Sequence, residues 1–121
     1  MTSEDNNSIL FDFKLKVFEQ IDIASLKNFS YVACVYGDFW WIGMITEIDM
    51  NKQDVLIEFL HPHGPRKNFY WPTKQDKCLV PIQWILACIE TPATTTGRMY
   101  EISEKDHANI IFSYDCFVNK V

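Results

Sequence analysis

At 121 residues the chain is long enough for one domain with a single modest core. Its formal charge of -5, with Arg66-Lys67 the only adjacent basic pair, argues against sequence-independent nucleic-acid binding, which needs clustered Lys and Arg. Apolar residues make up 48% and charged residues 22%, a balance that excludes a disordered or fibrous chain. Aromatics reach 15%, which points to a dense aromatic core or to aromatic recognition surfaces.

The opening MTSEDNNS is polar and acidic, unlike a secretory signal or transit peptide, and residues 1–8 read as a disordered tail. No apolar run approaches the ~18 residues of a membrane span. The expectation is an intracellular protein, nuclear or cytoplasmic, with Cys34, Cys78, Cys88 and Cys116 as thiols; no CxxC pair occurs. From Phe11 to Phe18 apolar and polar residues alternate, a strand pattern, although Leu10, Phe13, Val17 and Ile21 would also suit a helix. Ile21 to Asn28 is a short connector with room for one helical turn.

Three β-rich runs follow: Tyr31–Tyr36, Phe39–Ile48 and Val55–Leu60. They are separated by Gly37-Asp38 and by Asn51-Lys52-Gln53, a spacing that predicts an antiparallel meander. HPHGP, His61 to Pro65, predicts a loop, Asn68–Trp71 a short fourth strand, and Cys78–Ile89 a last short strand with a tight turn. Residues 91–98 form a Thr-rich linker. Ser103 then offers an N-cap with an acidic residue three positions on, opening a helix from about Glu104 to Phe117 that packs alongside the barrel within residues 99–121.

Within the second run, Trp40 and Trp41 are adjacent, so a strand sends them to opposite faces. VACVY, a Gly-Asp turn, WIGMITEID and VLIEF followed by a turn ending in Gly64 resemble the SH3-like barrels, especially the Tudor type. WWIG and VPIQWI are similar to features of the true SH3 domains, but only Gly37, Asp38 and Phe39 precede the tryptophan pair, which suits Tudor better. The fold expectation is mainly β: a small five-stranded barrel over residues 9–90, with an N-terminal strand or helix extension. The stretch from Tyr31 to about Phe112 also resembles a domain of uncharacterised invertebrate proteins associated with mobile elements.

The Tudor resemblance implies a non-catalytic module, at home in chromatin, that binds a protein or peptide carrying methylated lysine or arginine in an aromatic cage. The matching positions are Tyr36, Trp41, Phe59 and His63, with Trp40 packed on the opposite side of the sheet. The cage logic is physical: methylation enlarges the cation and removes donors, so ring faces hold it through their quadrupoles and by dispersion. Against this stands core packing, which is the commoner explanation for any one aromatic. The pattern departs from the family in the length of HPHGP, in His63, and in Pro65.

A different expectation is a peptide-binding or homodimerising surface with no methyl recognition, built from Trp40, Pro81 and Trp84. His61-x-His63 with two of Cys34, Cys78 and Cys88 would complete a four-ligand zinc set, but alternate residues in a Pro-constrained loop are not a recognised metal spacing. Neither metal nor cofactor is expected. Pairing Cys34 or Cys78 with His61 or His63 for nucleophilic catalysis lacks a local signature, and no enzyme is expected.

Overall fold

The computed structural model describes residues 21–63 and 67–119. The expected N-terminal tail, the strand or helix from residue 9 to 20, and Gly64 and Pro65 lie outside the described residues. A 3₁₀ turn at Ile23–Ser25, where the connector was expected, is capped by Asp22, whose carboxylate accepts from Ala24 N–H at 3.0 Å.

The strands are β1 (Tyr31–Tyr36), β2 (Phe39–Asp49), β3 (Asp54–Pro62), β4 (Asn68–Tyr70), β5 (Lys77–Pro81), β6 (Ile85–Ile89) and β7 (Tyr100–Glu101). A 3₁₀ turn at Ile82–Trp84 joins β5 to β6, and the helix α1 spans Glu104–Val118. The sheet order is β6-β1-β2-β3-β4-β7, with β5 also paired to β3, and all the pairings are antiparallel. One edge of β3 runs along β2; the other carries β5 over Asp54–Glu58 and β4 over His61–Pro62.

The turn residues account for this register. Gly37 takes φ +65° at the first central position of a two-residue hairpin, a conformation that glycine adopts without steric cost. At the β2–β3 turn the Asp49 carboxylate accepts from Asn51 and Lys52 N–H groups, each at 3.0 Å. A bulge between Ile45 and Glu47 shifts the β2–β3 register, and a second irregularity at Ala33/Cys34 does so between β1 and β6. Bulges bend a strand and increase its twist, and the sheet curls.

Two apolar layers result where composition suggested one core. Val32, Cys34, Ile45, Val55, Ile57, Phe59, Val80 and Ile85 pack on one face with Ile23 and Leu26. Ala33, Val35, Trp40, Ile42, Leu60, Phe69 and Leu86 pack on the other with Ile102 and with Ile110 of α1. A curled sheet with both faces covered buries the two alternating residue sets of β1 and β2, so the period-2 pattern supplies both layers.

The C-terminal part is more ordered than a linker. Thr94 Oγ1 donates to Met99 O at 2.6 Å and accepts from Gly97 N–H at 2.9 Å, and Ala93 bridges Glu101 beside β7. Ser103 caps α1 as expected, its hydroxyl accepting from Asp106 N–H at 3.0 Å. The buried Asp106 carboxylate accepts from Glu90 N–H at 3.0 Å, tying the first helical turn to the end of β6.

Candidate functional site

The paired tryptophans diverge. Trp40 is fully buried on the helix-facing layer, 6.1 Å between ring centroids from Phe69 and 6.0 Å from His107 of α1. Trp41 lies on the opposite face and is partly exposed. Its indole N–H donates to Tyr36 O at 3.1 Å, which fixes the ring's orientation across the β1–β2 hairpin.

Around Trp41 the strands bring three other rings. Tyr36, the last residue of β1, meets it at 6.2 Å and 83°; Phe59 of β3 meets it at 6.3 Å and 73°. His61, two residues further along β3, meets it at 5.4 Å and 67°. Tyr36 stacks on Phe59 at 4.9 Å and 27°. Phe59 is fully buried, so it is the floor of the group, and Tyr36, Trp41 and His61 are its partly exposed walls. Rings meeting near right angles around a corner can offer a cation more than one π surface.

Three of the four expected cage residues, Tyr36, Trp41 and Phe59, are therefore together. His63 is exposed and packs its ring on Tyr70 of β4 at 6.1 Å, one position farther out. His61 stands against Trp41 because β3 does not stop at Leu60: His61 pairs with Tyr70 and Pro62 with Phe69. Phe59 and His61 thus share a face. The β2–β3 ladder ends at Ile42↔Leu60, and His63 N–H donates toward β4, to Asn68 O. The missing N–H of Pro62 consequently faces the edge where that ladder has ended, and the strand tolerates the proline.

Two further residues belong to the group, and sequence reasoning passed over both. Tyr70 lies 6.0 Å from His61. Asp76 Oδ2 lies 2.8 Å from His61 Nε2. A carboxylate only accepts, so His61 donates from Nε2. The pair is about one-third exposed, 32% and 34% for the two side chains. Asp76 is held there by its own backbone, whose carbonyl accepts from Phe59 N–H at 2.8 Å. The available signal was the phase of β3 carried two residues past Leu60; nothing in TKQDK marks Asp76.

The surroundings of Tyr36 and Cys34 disfavour their charged forms. Charge on Cys78, then burial, a hydrogen bond to Cys78 and the charge of Asp76 push the Tyr36 phenol above its ordinary range. Burial, with a smaller contribution from Cys78, pushes the Cys34 thiol far up. Cys34 is fully buried, where a thiol is apolar filling rather than a nucleophile.

The second surface comes apart in space. Trp40 is fully buried and lines no groove, whereas Trp84 is 40% exposed on the 3₁₀ turn beside the partly exposed Pro81. Among the described residues no three His, Cys, Asp or Glu side chains gather as a metal-ligand group, and no helix is long and apolar enough to cross a membrane. Compared with protein-family models, curated proteins and solved structures, the chain has no significant match.

Proposed function

We propose that the chain is a non-catalytic protein-interaction module that receives a methylated lysine or arginine side chain at the corner formed by Tyr36, Trp41 and His61 over Phe59. The observation that carries this reading is the near-perpendicular meeting of three rings with Trp41, with a carboxylate, Asp76, hydrogen-bonded to one of them. A methylated cation is poorly hydrated and gains from ring faces and from a nearby negative charge. The order β6-β1-β2-β3-β5, with a 3₁₀ turn between β5 and β6, supports an SH3-like barrel of the Tudor type as the scaffold. An intracellular, chromatin- or mobile-element-associated setting belongs to the same proposal.

The test is a tryptophan-fluorescence titration with matched unmodified, trimethyl-lysine and dimethyl-arginine peptides. Saturable quenching by one modified peptide, lost in Trp41→Ala, supports the reading and names the mark. A flat response to all three from folded protein overturns it. A second reading, an unmethylated peptide or a second copy bound at the 3₁₀ turn, draws on the exposure of Leu79 at 59% and Trp84 at 40%. It predicts partner loss in Trp84→Ala with Trp41→Ala unaffected, and a solution mass near twice 14.2 kDa if the partner is a second copy.

A further inference from the structure

The aromatic corner has a titratable wall. Among the described residues, the titratable groups facing His61 are Asp76 from the segment before β5, Tyr70 of β4, and His63 farther along β3 against the same Tyr70. Across Trp41 stands Tyr36 of β1, with Cys78 of β5 behind it. Asp76 is the one carboxylate of that set, and its side chain is hydrogen-bonded to His61. Histidine is the side chain whose charge changes between about pH 5 and about pH 8.

Neutral His61 already uses its Nε2 proton on Asp76, so an added proton enters at Nδ1. The resulting imidazolium sits 5.4 Å from the Trp41 centroid, inside the ~6 Å reach of a cation–π attraction, and directly on the Asp76 carboxylate. These are the same two partners that a methylated ammonium or guanidinium would use. Two cations sharing one carboxylate and one indole repel each other, and at contact distances near a protein surface that repulsion is substantial.

We infer that the Tyr36–Trp41–His61 corner binds its cationic ligand in competition with a proton on His61, making the site a reader that releases its ligand on acidification. This rests on the aromatic-corner reading above and adds its regulation. By linkage, a fully competitive proton weakens binding by up to about tenfold per pH unit on the acid side of the imidazole's titration. Bound ligand, reciprocally, holds His61 neutral.

The experiment uses the full chain and a trimethyl-lysine peptide, whose quaternary charge does not titrate, so any pH dependence belongs to the protein. The Kd is measured at constant ionic strength at about pH 8 and about pH 5.5. The expected result is a rise of about tenfold or more on acidification, reduced to less than about twofold in His61→Phe. His61→Gln serves as a second variant should the larger ring disturb folding, checked by circular dichroism. Protein alone is followed by tryptophan emission over the same range: a transition absent from His61→Phe but kept in His107→Phe assigns the proton to the Trp41 side, because His107 faces Trp40.

Equal Kd values at both pH values in the wild-type chain overturn the competition while leaving the corner reading intact. An acid loss that persists in His61→Phe also overturns it, and moves the proton to His63 or His107. If the peptide binds at neither pH and dimethyl-arginine fails likewise, the corner reading falls and the competition with it.

Discussion

Gly43→Ala tests the close approach that sets the site's floor. Glycine inside a strand costs roughly 0.5–1 kcal/mol relative to alanine, so propensity alone predicts stabilisation. The sterics oppose this. A Cβ on Gly43 would come within 2.6 Å of the Glu58 carbonyl oxygen and closer still to Ile57 Cγ2. Ile57 is fully buried and cannot swing aside, and the carbonyl is part of the β2–β3 backbone. Overpacking of this kind costs about 1–3 kcal/mol, which outweighs the propensity gain and leaves a net loss of about 1–2 kcal/mol.

For a domain of this size that is a drop of roughly 4–10 °C in Tm. Thermal and urea unfolding followed by circular dichroism would measure it. Gly37→Ala is the useful contrast: nothing lies within 4 Å of its added Cβ, so its cost comes only from φ +65°. Wild-type or higher stability in Gly43→Ala would refute the steric argument, and with it the account of why Phe59, opposite Gly43 in register, has room to form the floor under Trp41.

The paired tryptophans should separate stability from binding. Trp40→Ala is expected to cost about 3–5 kcal/mol in urea unfolding, whereas Trp41→Ala, partly exposed, costs clearly less and abolishes peptide quenching. Ser103→Ala removes the acceptor of Asp106 N–H and should cost about 1 kcal/mol, read in the same unfolding curves, with Ser103→Asp recovering most of it. Stability should also fall in alkali. Burial raises the folded-state pKa of Cys34, so above the ordinary thiol range the unfolded chain has released a proton that the native chain keeps. The native state then binds more protons, and stability declines as pH rises, by at most about 1.4 kcal/mol per pH unit for a fully buried group such as Cys34. Urea midpoints from about pH 7.5 to about pH 10 should show this slope, shallower in Cys34→Val.

Much of the meander was legible because its signals are local. Alternation places Trp40 and Trp41 on opposite faces, and Gly37-Asp38 marks the turn between β1 and β2. What stayed hidden depends on pairing at a distance. HPHGP looks like a loop because its prolines and glycine are turn formers. Pro62 is nevertheless in β3, since β4 returns to pair with it after the β2 ladder has ended. Beyond the linker, β7 at Tyr100–Glu101 carries no strand signal of its own and forms because β4 offers it an edge. Asp76 could not have been found by spacing, as it reaches His61 through one long-range backbone hydrogen bond to Phe59.

The same register that made the tryptophans legible also decides which of them belongs to the site. Side chains alternate with a period of two, so a slip of one residue in β2 would carry Trp41 beneath α1 and turn Trp40 toward His61. Two features oppose that slip. The two-residue turn at Gly37 sets Tyr36 opposite Phe39, and Gly43 is needed where β2 lies too close to β3 for a side chain. Both glycines lie within three residues of the tryptophan pair. Lengthening the turn by one residue is therefore more damaging than its exposed position suggests: it exchanges the two indoles between a packed layer and a mouth, and neither place is shaped for the other ring.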